Sequence, residues 1–210
     1  MEVNSTKLGR EYVIDGKIYY SVTTPLKVIS FPHLEVWRAR VGKGAANKIA
    51  KKASNYGTKI HGYCEDILNG NEPNYSSIPR KYHPDVIAFK EWADENVTKI
   101  EAIEEVVINK EIPVAGRVDF IGTIKGYRGT SVCDIKTGRT RAEHWLQLAA
   151  YRESYGKGSR RLIISIKNGK VRVIPYKRGA TDDKNMKRDW EIYKHVFKLF
   201  LWINKLLKEG

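Results

Sequence analysis

Cysteine and methionine are scarce in this chain, with two of each among 210 residues. Two cysteines exclude a disulfide framework, a four-cysteine zinc site and a cysteine-ligated iron–sulfur cluster. Cys64 and Cys133 lie far apart in apolar surroundings, and both are expected as buried free thiols. No run of about eighteen apolar residues occurs, so no membrane-spanning helix is expected. The opening residues Met1-Glu2-Val3-Asn4-Ser5 lack the apolar core of a secretory signal, and a cytoplasmic protein is expected. Internal repeats, low-complexity tracts and Pro- or Gly-rich linkers are also missing, which predicts a single domain over 1–210.

Acidic residues are outnumbered, with 24 Asp and Glu against 38 Lys and Arg, and the net charge is +14. An excess of this size favours a polyanionic partner, nucleic acid being the commonest, over a merely soluble basic protein. A membrane-surface role fits less well, because the basic residues are spread along the chain and not clustered.

Periodicity and turn residues predict a hairpin over 11–20, with Asp15-Gly16 as its turn. Short helical segments follow over 22–41, broken at Phe31-Pro32. Helices are expected over 44–69 and 83–96, and strands over 102–111, 114–124 and 130–136. A helix over 142–155 and strands over 161–167 and 171–176 come next, the strands joined at Asn168-Gly169. A last helix is expected over 182–207, with Trp190, Tyr193, Phe197 and Phe200 on its apolar side. The order divides into an N-terminal hairpin with helices (1–98), a core (99–176) and a C-terminal helix (182–207). It predicts an α/β sandwich around a mixed sheet.

Two apolar strands carry acids. Gly116-Arg117-Val118-Asp119-Phe120-Ile121-Gly122 contains Asp119, and Val132-Cys133-Asp134-Ile135-Lys136-Thr137-Gly138 contains Asp134 and Lys136. Residues two apart on a strand share a face, so Asp134 and Lys136 point the same way. Charges in such strands need a partner or a metal. The acid-x-Lys triplet occurs at Asp15, Asp134 and Asp182, and context separates them. Asp15 belongs to a turn, and Asp182-Asp183-Lys184 opens the last helix, where acids complement the helix dipole. Only Asp134 lies in an apolar strand with another acid upstream. Two carboxylates beside a lysine suit Mg²⁺ or Mn²⁺ and predict a metal-dependent nuclease. Carboxylates about 4 Å apart repel by roughly 4 kcal/mol at an effective dielectric of 20, so the charge of Asp119 is expected to burden the metal-free fold. The alternative is a buried structural ion pair between Asp134 and Lys136 or an arginine.

Gly116-x-x-Asp119, Asp134-x-Lys136-Thr137-Gly138, Gln147-x-x-x-Tyr151 and Gly57-Thr58-Lys59-Ile60-His61, taken together, resemble the motifs of the PD-(D/E)XK nuclease superfamily. The resemblance is to the RecB-like branch of phage, CRISPR-associated and mitochondrial genome maintenance exonucleases, over about residues 22–155. Val118 stands where the superfamily name has proline. The resemblance implies a three-layer restriction-endonuclease-like sandwich acting on DNA with single-stranded regions or ends, in replication, repair or phage DNA processing. Asp119, Asp134 and Lys136 would be catalytic. Asp119, Asp134, His61 and the Ile135 carbonyl would hold Mg²⁺ or Mn²⁺. Gln147 and Tyr151 would face the metal site and the nucleic-acid backbone, with Arg117, Arg139 and Arg141 as phosphate contacts. Glu65, Glu104 and Glu105 are further acids whose part is open. A site-specific or junction-resolving endonuclease, or a catalytically silent nucleic-acid-binding protein, are the competing readings.

Overall fold

The computed structural model describes residues 1–6, 9–29, 32–156, 160–176 and 183–209. Phe31 and Asp182, invoked above for a helix break and an acid-x-Lys triplet, lie outside the described residues. The chain opens with strands β1 (Glu2–Ser5), β2 (Arg10–Ile14) and β3 (Lys17–Ser21), then a 3₁₀ turn at Pro25–Val28. The β2–β3 turn has Asp15 at φ +50° and Gly16 at φ +73°, the paired positive angles of a type I′ hairpin. Helices α1 (Pro32–Val41), α2 (Lys43–Leu68) and α3 (His83–Asn96) follow. Next come β4 (Val97–Ile108), β5 (Val114–Ile124), β6 (Thr130–Lys136), α4 (Ala142–Tyr155), β7 (Arg160–Ile166), β8 (Val171–Pro175) and α5 (Asp183–Glu209). Among the described residues no helix is long and apolar enough to cross a membrane.

The architecture is mixed α/β, one large mixed sheet with flanking helices. Its strands run β1-β2-β3-β5-β6-β7-β8, with β4 paired to β5. β6 and β7 are parallel, joined through α4, and the apolar stretch Leu162-Ile163-Ile164 reads as a strand buried on both faces. Two apolar clusters form the core. One joins β5, α4 and α5 through Val118, Leu148, Tyr193 and Phe197. The other joins α2, α3, β6 and β7 through Ile60, Phe89, Ile135, Leu162 and Ile164.

β5 is the pivot of the sheet. Ala115 pairs with Ile108 of β4 and with Ser21 of β3, so those strands occupy opposite edges of β5. Ile121 pairs with Ala102 of β4 and Val132 of β6, so β6 shares the β3 edge. β3 takes that edge at Val114 and Ala115, and β6 takes it from Phe120 to Thr123. Between them residues 116–119 face a notch.

β4 begins earlier than the expected position 102. Its first residues are mostly exposed and carry two register shifts, which hide the alternation. Gly122 sits opposite the irregularity, and a Cβ there would collide with the Lys99 carbonyl oxygen. Arg161 is buried on β7. Its Nη1 donates to Asp189 Oδ2 of α5 and to the Trp145 carbonyl of α4, both at 2.9 Å, and its guanidinium lies 4.5 Å from the Tyr176 ring centroid.

Candidate metal centre and surrounding cleft

The notch in β5 opens into a cleft of about 810 Å³. His61 on α2, Glu104 on β4, Asp119 on β5, Asp134 and Lys136 on β6, and Gln147 and Tyr151 on α4 all line it, together with Arg117 and Glu65. Gly57 lets α2 come close: a Cβ there would meet Thr137 Oγ1 at 3.2 Å. Gly116 does the same for α4, since a Cβ would fall 2.6 Å from Tyr151 Cε1.

Beyond the Phe120–Cys133 pair the β5–β6 ladder stops. The Ile135 amide there donates to Asp119 Oδ2 at 2.5 Å, while Asp119 Oδ1 lies 3.3 Å from His61 Nδ1. On β4, Glu104 falls between the pairs Ile103–Phe120 and Glu105–Val118, which sets it beside Asp119. One ligand atom each from His61, Glu104 and Asp119 lie within 4.8 Å of one another. Glu104 holds a left-handed backbone at φ +49°, unusual for a strand residue and costing about 1 kcal/mol. Glu105, paired with Val118, is exposed and does not line the cleft.

Asp134 stands in the same cleft but outside that converging group. Lys136 Nζ donates to its Oδ1 at 2.7 Å and lies 2.6 Å from its Oδ2. Gln147 Nε2 also donates to Asp134 Oδ1, at 3.1 Å, and to the Tyr151 hydroxyl at 3.2 Å. Gln147 and Tyr151 are both buried, Gln147 bonded to the Asp134 carboxylate and Tyr151 bonded to Gln147. The contact that Ile135 makes here runs through its amide, with its side chain in the core. Arg117 lines the cleft, its Nε 3.7 Å from Glu104 Oε2. Arg139 is exposed on the loop after β6, and Arg141 caps α4 with Nη1 3.7 Å from Glu143; neither forms part of the cleft wall.

The electrostatics differ from the expectation that Asp119 is the burdened acid. Burial works against its charge, but His61, Lys136 and the Ile135 amide outweigh it and hold the carboxyl below its usual range. Burial likewise opposes protonation of His61, and Asp119 overrides it and raises the imidazole. Burial opposes the charge on Lys136 too, yet Asp134 and Asp119 keep its ammonium protonated. The repulsion falls elsewhere. Burial, with Asp119 behind it, pushes Asp134 up to about 6 against the pull of Lys136. Burial, then Asp119 and Glu65, push Glu104 up to about 7, despite Arg117 and His61.

Glu104 gives a pH-dependent prediction. Its folded pKa of about 7 lies above the ordinary 4.5, so its charge penalises the fold as pH rises through that window. Glu104→Gln is expected to stabilise the protein in EDTA at pH about 8 by about 1 kcal/mol, after discounting for partial exposure. The gain is expected to vanish below pH about 4.5, where the native carboxyl is already neutral. Urea unfolding at the two pH values checks it, and an equal gain at both would refute this assignment.

Several cleft residues carry no motif. Arg10, Tyr12, Ser21 and Thr23 arrive with the N-terminal hairpin, which the β3–β5 pairing docks against the cleft. His144 on α4 also lines the cleft; its Nδ1 accepts the Arg141 amide at 3.2 Å, and burial with Lys136 and Arg141 lowers its pKa to about 4. Glu104 is within reach of sequence, because a short connection from β4 to β5 sets which acid lies beside Asp119.

No family model and no curated protein matches this sequence. A solved structure described as "Crystal structure of SSO0001" is similar to this chain at a TM-score of 0.36 and 16% sequence identity, over 79% of this chain and 71% of that one.

Proposed function

We propose that this chain is a metal-dependent deoxyribonuclease of the RecB-like PD-(D/E)XK kind, its sheet and flanking helices forming a three-layer restriction-endonuclease-like core. The observation that carries this reading is the meeting of His61, Asp119, Asp134, Lys136 and Gln147, from four separate elements, in one cleft. The net charge of +14 supports a nucleic-acid substrate.

The donor set fits a divalent cation. His61, Glu104 and Asp119 offer one imidazole nitrogen and two carboxylates, and the raised pKa of Glu104, set by burial and then by Asp119 and Glu65, registers a charge penalty that a cation would relieve. Oxygen donors of this type suit Mg²⁺, and the imidazole tilts the set toward Mn²⁺. When bound, such an ion supplies charge stabilisation at a phosphate and a more acidic water. The chain's own groups do the rest. Lys136 stays an ammonium, so it donates hydrogen bonds to the attacking water or a phosphate oxygen and does not remove a proton. Gln147 fixes the Asp134 carboxylate, and Tyr151 fixes Gln147. Arg117 and Arg10 offer charge to the phosphodiester backbone along the cleft. In the hydrolysis, water oxygen bonds to phosphorus, one P–O ester bond breaks, and the departing oxygen ends protonated.

A catalytically silent nucleic-acid-binding protein is the second reading, favoured by the ion pair already closed between Asp134 and Lys136. Incubation with end-labelled single- and double-stranded DNA in Mg²⁺, Mn²⁺ or EDTA separates the readings. The expected outcome is metal-dependent shortening from the ends, abolished by EDTA. Internal cutting at a preferred sequence would indicate a site-specific endonuclease, and binding without cleavage under every metal would favour the silent protein.

A further inference from the structure

The β7–β8 hairpin carries a cationic feature that the cleft does not use. Lys136 pairs with Ser165 across β6 and β7, and Ser165 pairs with Arg172 across β7 and β8. Side chains paired in this way share a face of the sheet. Three adjacent strands therefore present a lysine, a hydroxyl and an arginine in a row. Strands lie about 4.8 Å apart, so the row extends about 10 Å from Lys136, beyond the reach of a single phosphate group. The turn beyond it adds Lys167 and Lys170. With Ser165, Asn168 and Arg172 they line a second depression of about 460 Å³.

Lys167, Lys170 and Arg172 are exposed. Among the described residues none of them forms an ion pair with an acid. The turn that carries Lys167 and Lys170 is held in place. Asn168 and Gly169 take φ +53° and +68°, and the Gly169 amide donates to Asp85 Oδ1 at 2.6 Å. Asp85 is itself buried and accepts the Tyr56 hydroxyl at 2.9 Å, so its charge serves to anchor the turn. A fixed group of cations in line with Lys136 matches a chain of phosphates that begins at the cleft.

We propose that Ser165, Lys167, Lys170 and Arg172 form a second binding site for the phosphodiester backbone of a nucleic-acid strand whose reacting phosphate lies at Lys136. This rests on the nuclease reading, and it adds which way the bound strand runs: over β7 and β8.

The test compares a thymidine dinucleotide with a thymidine oligonucleotide of about twenty residues, the shorter having a single phosphodiester and so unable to fill both places. Wild-type protein is expected to bind the longer one more tightly and with a steeper salt dependence. Lys167→Ala with Lys170→Ala and Arg172→Ala is expected to remove most of that length advantage and to lower the log–log salt slope by about 2, at about 0.7 per phosphate. The charge-conserving set Lys167→Arg, Lys170→Arg and Arg172→Lys is expected to retain both. An alanine variant that keeps the length advantage and slope would overturn the second site while leaving metal-dependent cleavage by the wild type untouched. Equal loss in the charge-conserving set would assign the effect to hairpin folding and also overturn it. Wild-type protein without salt-dependent binding to either length would overturn this site and the nuclease reading together.

Discussion

Lys136→Met is expected to reduce DNA cleavage by about a thousandfold or more while leaving binding of a long single strand within about tenfold. The ammonium lies 2.6 Å from the Asp134 carboxylate and is held protonated by two acids, so it contributes charge where negative charge grows on phosphate. The same substitution disturbs the fold, because Asp134 is 1% exposed and loses its counter-charge. Breaking a buried pair from one side costs about 3–5 kcal/mol in general. Here the cost is expected near the lower end, since Asp134 already has a raised pKa and keeps its bond from Gln147. The double variant Lys136→Met with Asp134→Asn separates the two effects. It is expected to regain most of the stability in urea and none of the cleavage. Recovery of cleavage in the double variant, or its retention in the single one, would reduce Asp134 and Lys136 to a structural ion pair.

The largest stability effect is expected at a distance from the cleft. Asp189→Ala leaves the buried Arg161 guanidinium without the carboxylate 2.9 Å away. The Trp145 carbonyl and the Tyr176 ring are among the contacts that remain to the guanidinium. A loss of about 3–5 kcal/mol is expected. At about 2–4 °C per kcal/mol for a chain of this size, Tm should fall by about 6–20 °C. Asp189→Leu with Arg161→Met is expected to recover much of it, because apolar replacement of both partners removes the desolvation cost along with the pair. A drop of only a degree or two in Asp189→Ala would mean that the remaining contacts suffice for Arg161.

What is legible in the sequence is local. Asp15-Gly16 and Asn168-Gly169 name two of the hairpin turns because only residues tolerant of positive φ fit there, and both adopt it. The spacing of Asp134 and Lys136 puts them on one face because strand alternation is short-ranged, and the two are in contact. Strand β1 leaves no apolar pattern to read, since Glu2–Ser5 is exposed throughout. The start of β4 is hidden in the same way, because register shifts break its alternation. Long-range pairings are also out of reach. No local signal says that Ser21 lies beside Ala115, and with that pairing come Arg10, Tyr12 and Thr23. The distribution of charge is hard to read for a related reason. Sequence makes Asp119 the strained acid through its nearness to Asp134, but His61, Lys136 and the Ile135 amide relieve it, and the cost falls on Asp134 and Glu104, through burial first and then Asp119.

The notch in β5 also bears on how the chain is assembled as it leaves the ribosome. β3 is made before β5, and the strand that completes its inner edge follows only after α1, α2, α3 and β4 have emerged. For that interval the nascent hairpin offers unpaired backbone groups, a hazard that short edge strands and charged residues such as Lys17 blunt. The wall that β3 supplies to the cleft therefore cannot close before β5 has emerged, and a chain stalled before Ala115 holds its hairpin with nowhere to dock.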